Sequence, residues 1–122
     1  MKRSAAIALI TTMLSPLVVT SVMAEDIIIP LPETTSVEKT ESAYQCGQEK
    51  VGATYLNAGN ISLVRIAFAD RIIVASNVMA ASGAKYQGGV YVWWSKGDEA
   101  DLYDLMADAE MKKPVHCTAI KP

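Results

Sequence analysis

Histidine occurs once in the 122 residues and cysteine only twice, and each scarcity removes a class of chemistry. One histidine, His116, cannot form an HExxH pair, and two distant cysteines make no CxxC. The 7 glycines do not gather into a phosphate-cradling loop. His116 adjoins Cys117, and neighbours on a strand point to opposite faces, so they cannot work as a nucleophile and its base. Asp98, Glu99 and Asp101 lie close together, but without the spacing of a calcium loop they read as a solvated turn. Nothing here asks for a metal or a cofactor, and the expectation is a protein that is not an enzyme.

Positive charge is also not in excess. The formal net charge is −2, which argues against nucleic acid or an anionic membrane as partner. The balance shifts further once the first segment is considered. "MKRSAAIALITTMLSPLVVTSVMA" opens on Lys2 and Arg3, runs through an apolar stretch broken by Pro16, and closes on Val22-Met23-Ala24. This is the pattern of a secretory signal peptide over residues 1–24, cut before Glu25. A membrane anchor fits less well, because Glu25 and Asp26 stand where a basic flank is expected. No cysteine lies at the junction to carry a lipid, so the mature chain is expected to have no membrane anchor and to reside in the periplasm. Losing Lys2 and Arg3 takes the 11 basic residues to nine against 13 acids, a formal charge of −4 for the mature chain. Such a charge suits a basic protein partner through long-range attraction.

A chain this short is one domain with a modest core, and a staple is expected. Export to an oxidising compartment and the even cysteine count together predict a Cys46–Cys117 disulfide, tying the start of the fold to its end.

After the signal, "EDIIIPLPETTSVEKTES" (residues 25–42) carries two prolines and several acids, and reads as a flexible leader before a domain over 43–122. From Tyr44 the texture changes to short alternating runs. Val51, Ala53 and Tyr55 share one face, and "ISLVRIAF" alternates around Arg65. In "RIIVASNVMA", Ile72, Val74, Ser76 and Val78 share a face. "NAGN", "AD", "QGG" and "KGD" punctuate the runs. Period-two alternation at such turn spacings predicts an all-β antiparallel barrel or sandwich. Trp93 and Trp94 are adjacent, so only one can point inward. One stretch is ambiguous. "DEADLYDLMADAEMKK" (98–113) sets Leu102, Leu105, Met106 and Ala109 at helical spacing. The same residues also permit a short strand over Ala100 and Leu102, a loop, and a last strand "PVHCTAI". A barrel that carries a small-molecule ligand is the rival function, although short strands tend to fill their own lumen.

Four features recur in order: Tyr44-x-Cys46, then "AASGAKY" (80–86), then Trp94-Ser95-Lys96-Gly97, then Cys117. Together they resemble the MliC/PliC family of bacterial inhibitors of chicken-type (c-type) lysozyme, and the likeness spans the whole domain from residue 44 to 117. Either central motif alone would be weak; their combination between two cysteines is specific. The resemblance implies an eight-stranded antiparallel barrel closed by one disulfide, with 98–113 completing the barrel as strand rather than helix. It also implies a loop that enters the lysozyme cleft. The SGxxY motif falls on Ser82, Gly83 and Tyr86, and the WxKG motif on Trp94, Lys96 and Gly97. Ser82 and Lys96 are the implied contacts, Tyr86 is a further contact or a brace for the loop, and Gly83, Trp94 and Gly97 are in support. The family's membrane-bound branch has a lipid-bearing cysteine after its signal; this chain lacks one there and resembles the periplasmic branch. Lys85 has no place in either motif and reads as a surface charge.

Overall fold

The computed structural model describes residues 6–122; Lys2 and Arg3 of the expected signal peptide lie outside the described residues. Residues 6–30 contain no helix or strand. Among the described residues, no helix is long and apolar enough to cross a membrane.

From Glu38 onward, each alternating run becomes a strand and each polar or glycine-bearing pair a reversal. The strands are β1 (Glu38–Cys46), β2 (Glu49–Ala58), β3 (Ile61–Phe68), β4 (Arg71–Val78), β5 (Ala84–Gly88), β6 (Tyr91–Lys96), β7 (Glu99–Asp104) and β8 (Val115–Ala119). Each pairs antiparallel with the next, and β1 pairs with β8 to close the barrel. Closure removes the exposed edges that a small sheet would otherwise present. The closing ladder sets Cys46 directly opposite Cys117. Their Cα atoms are 4.1 Å apart and the two are joined as a disulfide. The all-β, eight-stranded, disulfide-closed barrel expected from the sequence is thus the observed fold.

Cross-strand partners share a face, so a few fully buried residues decide which side of every strand faces in. Val64 and Ile66 are 0% exposed and oppose Ala75 and Ile73 on β4. Ile73 and Ala75 therefore fill the core, and the Ile72/Val74/Ser76/Val78 face read from the sequence is the outer one. Of the two tryptophans, Trp93 points inward, where its indole N–H donates to the Tyr55 hydroxyl at 2.9 Å. Tyr44 meets Tyr55 oxygen to oxygen at 3.0 Å and packs edge-on against Trp93. Burial and the Tyr55 contact push the Tyr44 hydroxyl well above the usual phenol range. These rings, with Val51, Val64 and Ile66, occupy the lumen where a carried ligand would have to sit.

One boundary differs from expectation, and one ambiguous segment is resolved. The barrel begins at Glu38 rather than 43: Glu38 to Ser42, expected as leader, pair with Asn57 to Ala53 of β2. Backbone pairing recruits this polar stretch although it has little apolar side chain to bury. The 98–113 segment is strand then loop, as the family resemblance implied and local helical spacing did not. β7 pairs along its length with β6, and its Glu99 to Leu102 pair with β8. Its aspartates then act as turn formers. Asp104 accepts from the Met106 and Ala107 N–H groups, and Asp108 from those of Lys112 and Lys113. Such local side-chain bonds compete with a helix for the same backbone donors.

Candidate functional site

Strands β5 and β6 bring the two sequence motifs together. Their register sets Ala84 opposite Ser95 and Lys85 opposite Trp94. The β4–β5 loop that carries Ser82 therefore lies beside the end of β6 that carries Lys96. Gly83 makes the approach possible. Its φ is +66°, and a Cβ there would sit 2.5 Å from the Ser95 carbonyl oxygen and 2.6 Å from Lys96 Cγ. Any larger residue would force the loop off β6. Gly97, at φ +58°, needs glycine for its backbone conformation alone, since a Cβ would meet nothing within 4 Å.

Trp94 fastens the loop. Its indole Nε1 donates to the Ser82 carbonyl at 2.8 Å. The bond fixes the Ser82 backbone and leaves its exposed side chain facing solvent, with no hydrogen bond of the hydroxyl among the described residues. Asn77 and Ser95 add bonds to the Lys85 and Ala84 carbonyls from either side.

The same indole is a platform for cations. Lys96 Nζ lies 4.7 Å from the Trp94 ring centroid, and Lys85 Nζ lies 5.0 Å from it. Both distances are within cation–π range. Lys96 is thereby exposed yet held in one region rather than swept through solvent. Lys85, expected as a surface charge, lies on the outer face over the same ring. The signal that could have placed it is the alternation in "GAKYQ": with Tyr86 inside, Lys85 must be outside, beside the motif tryptophan.

Tyr86, expected either to contact a partner or to brace the loop, is 6% exposed and packs in the core at 5.9 Å from Tyr55. Burial raises the proton affinity of its hydroxyl. A strand alternates, so a chain that shows Lys85 outside must send Tyr86 inside; the tyrosine braces the loop from beneath.

Past Trp94 the outer face continues to β7 and β8. Asp101 opposes Trp94, Glu99 opposes Lys96, and His116 opposes Asp101. His116 Nδ1 is 2.7 Å from Asp101 Oδ1 and its Nε2 is 3.5 Å from Glu99 Oε1. A hydrogen bond to Asp101, then the Glu99 carboxylate, raises the imidazole's proton affinity above its ordinary value. A pocket of about 50 Å³ joins these residues to Trp94 and Lys96. Among the described residues no group of three His, Cys, Asp or Glu side chains is arranged to hold a metal ion.

Residues 44–111 match the family model described as membrane-bound lysozyme-inhibitor of c-type lysozyme, MliC. A protein of Pseudomonas aeruginosa named membrane-bound lysozyme inhibitor of C-type lysozyme is 38% identical over 91 residues, which cover 73% of this chain and 72% of that one. Proteins of the same name from Cupriavidus necator and Escherichia coli are 38% and 35% identical over shorter stretches, 52% and 49% of this chain and 51% and 53% of theirs. Among solved structures, that of Pseudomonas aeruginosa MliC in complex with hen egg white lysozyme superposes with a TM-score of 0.67 at 35% identity, covering 80% of this chain and 99% of that one. A match over most of the barrel, in sequence and in structure alike, makes this chain a member of the MliC family of lysozyme inhibitors.

Proposed function

We propose that this protein inhibits c-type lysozyme by inserting the end of the barrel that carries Ser82 and Lys96 into the enzyme's cleft. One observation carries the reading. Trp94 fastens Ser82 and underlies Lys96 at once, so a hydroxyl and an ammonium project from one rigid corner. Lysozymes of this type work with two carboxyl groups, one held protonated and one ionised. Lys96 is the cation for the ionised group, and the Ser82 hydroxyl can donate or accept beside the acid. Charge-assisted bonds formed where water is excluded are the strong kind. Holding the ammonium over an indole before binding reduces the ordering cost that a free lysine would incur. Lys85, on the same ring, adds a second cation at the rim.

The acidic balance of the remaining chain supports attraction of a basic lysozyme. The filled lumen weighs against the ligand-carrying alternative. We place the protein in the periplasm, delivered by the signal over residues 1–24. Both cysteines are taken up by the disulfide, which leaves this sequence no thiol for a lipid. The protein has no hydrolytic role in this reading. The test is turbidity clearing of bacterial cell walls by a c-type lysozyme with the purified protein in excess. Clearing stops if the reading is right; clearing at the uninhibited rate contradicts it.

A further inference from the structure

The chain's one histidine lies on the outer face next to the proposed contact residues, and its surroundings give it work to do there. Glu99 has two cations in reach. Lys96 stands directly opposite on the β6–β7 ladder, and His116 stands diagonally on β8. In the structure Glu99 turns to His116 Nε2 at 3.5 Å, while the Lys96 ammonium rests over Trp94. The other imidazole nitrogen, Nδ1, is bound to Asp101 at 2.7 Å. With Nδ1–H donated to Asp101, Nε2 carries a proton only in the imidazolium form. The neutral ring therefore presents a lone pair to Glu99 and lets it go.

We propose that His116 is a positioning residue for Lys96: its imidazolium holds Glu99 aside, and its deprotonation releases Glu99 to pair with Lys96 and draw the ammonium away from the lysozyme contact. The proposal rests on the lysozyme reading above. The charged groups around the ring are few. Glu99 and Asp101 face it from β7. Lys96 of β6 and Lys85 of β5 lie beyond, over Trp94. From β1, the residues paired with β8 are Tyr44, Gln45 and Cys46, which bring no ionised group. Asp98 in the β6–β7 turn is engaged by Lys121 at 2.8 Å. Both neighbouring carboxylates raise the His116 proton affinity. The effect is therefore complete below the ordinary histidine value of about 6.5 and fades as pH rises through the raised one.

Calorimetric titration of hen lysozyme with wild type, Glu99→Gln, His116→Gln and the double variant, between about pH 5.5 and 8.5, tests this. Lysozyme's own titration is common to all four, so the comparison is between profiles. Wild-type affinity should fall with pH by about two- to fivefold more than that of Glu99→Gln, the range of an exposed ion pair. His116→Gln should bind weakly at every pH, and the double variant should recover the affinity of Glu99→Gln. Superimposable wild-type and Glu99→Gln profiles, or His116→Gln binding as tightly as wild type at low pH, overturn the proposal. A readout without lysozyme separates it from the inhibitor reading. In the free protein the Trp94 indole N–H resonance should titrate with the His116 ring in wild type and lose that response in Glu99→Gln. An indole signal that ignores His116 overturns the positioning role even where lysozyme binds; a signal that follows it supports the role even where lysozyme does not.

Discussion

Tyr86 and Ser82 sit four residues apart in one motif, yet they belong to different parts of the molecule. Ser82 is exposed at a fastened loop, and Tyr86 is a core ring. Removing the Tyr86 ring should therefore behave as a core truncation. Tyr86→Ala should lower stability by about 3–5 kcal/mol, in line with other large buried rings, which a denaturant melt reads directly. Ser82→Ala should leave the melt in place. Gly83→Ala probes the close approach of the loop to β6. A Cβ meeting the Ser95 carbonyl at 2.5 Å, on a backbone at φ +66°, must displace the loop. A cost of about 1–3 kcal/mol is expected, together with weaker lysozyme binding, because Ser82 moves with the loop. An unchanged melt for Gly83→Ala would mean that the loop is not seated on β6 as described.

At the level of strands, the ladder between β1 and β8 that closes the barrel has only three paired positions, fastened by Cys46–Cys117. The bridge joins residues 71 apart. Its reduction should cost about 2–5 kcal/mol, chiefly by freeing the unfolded chain. Denaturant midpoints with and without reductant measure this, and coincident midpoints would show that the ladder closes without its staple. The strands themselves were legible in the sequence, because alternation and turn pairs are local signals that barrel closure reinforces. Three things were not. The face of β4 that turns inward is set by its partners Val64 and Ile66, which no local pattern of β4 reveals. The start of β1 depends on pairing with β2 rather than on apolar content. The 98–113 segment carries a true helical period, and its aspartates are used as turn acceptors instead; only the family resemblance pointed to strand. Of the candidate site, Ser82, Gly83, Trp94, Lys96 and Gly97 were read from the two motifs and do lie at one end of the barrel. For Tyr86 the motif permits either a contact or a brace, because a motif does not show which way a strand faces. The contacts of Lys85 and His116 exist only across strands, so neither motif marks them.

Across the whole molecule, the barrel strands and their turns are close to neutral, and most of the net negative charge beyond residue 24 lies ahead of them at Glu25, Asp26 and Glu33. The chain's net −2, or −4 without residues 1–24, should speed encounter with a basic lysozyme, while the Lys96 contact should govern how long the complex lasts. Association rates measured by stopped flow should fall as salt rises and the screening length shortens to about 8 Å at physiological strength. Dissociation rates should change much less; a salt-independent association rate would remove steering from the description. Titration calorimetry of a c-type lysozyme with Lys96→Ala, alongside its thermal melt, tests the proposed inhibition most directly. The expected result is a fully folded variant whose affinity has dropped by about 2–5 kcal/mol, the cost of deleting one partner of a buried charge pair. Wild-type affinity in a folded Lys96→Ala protein would contradict it.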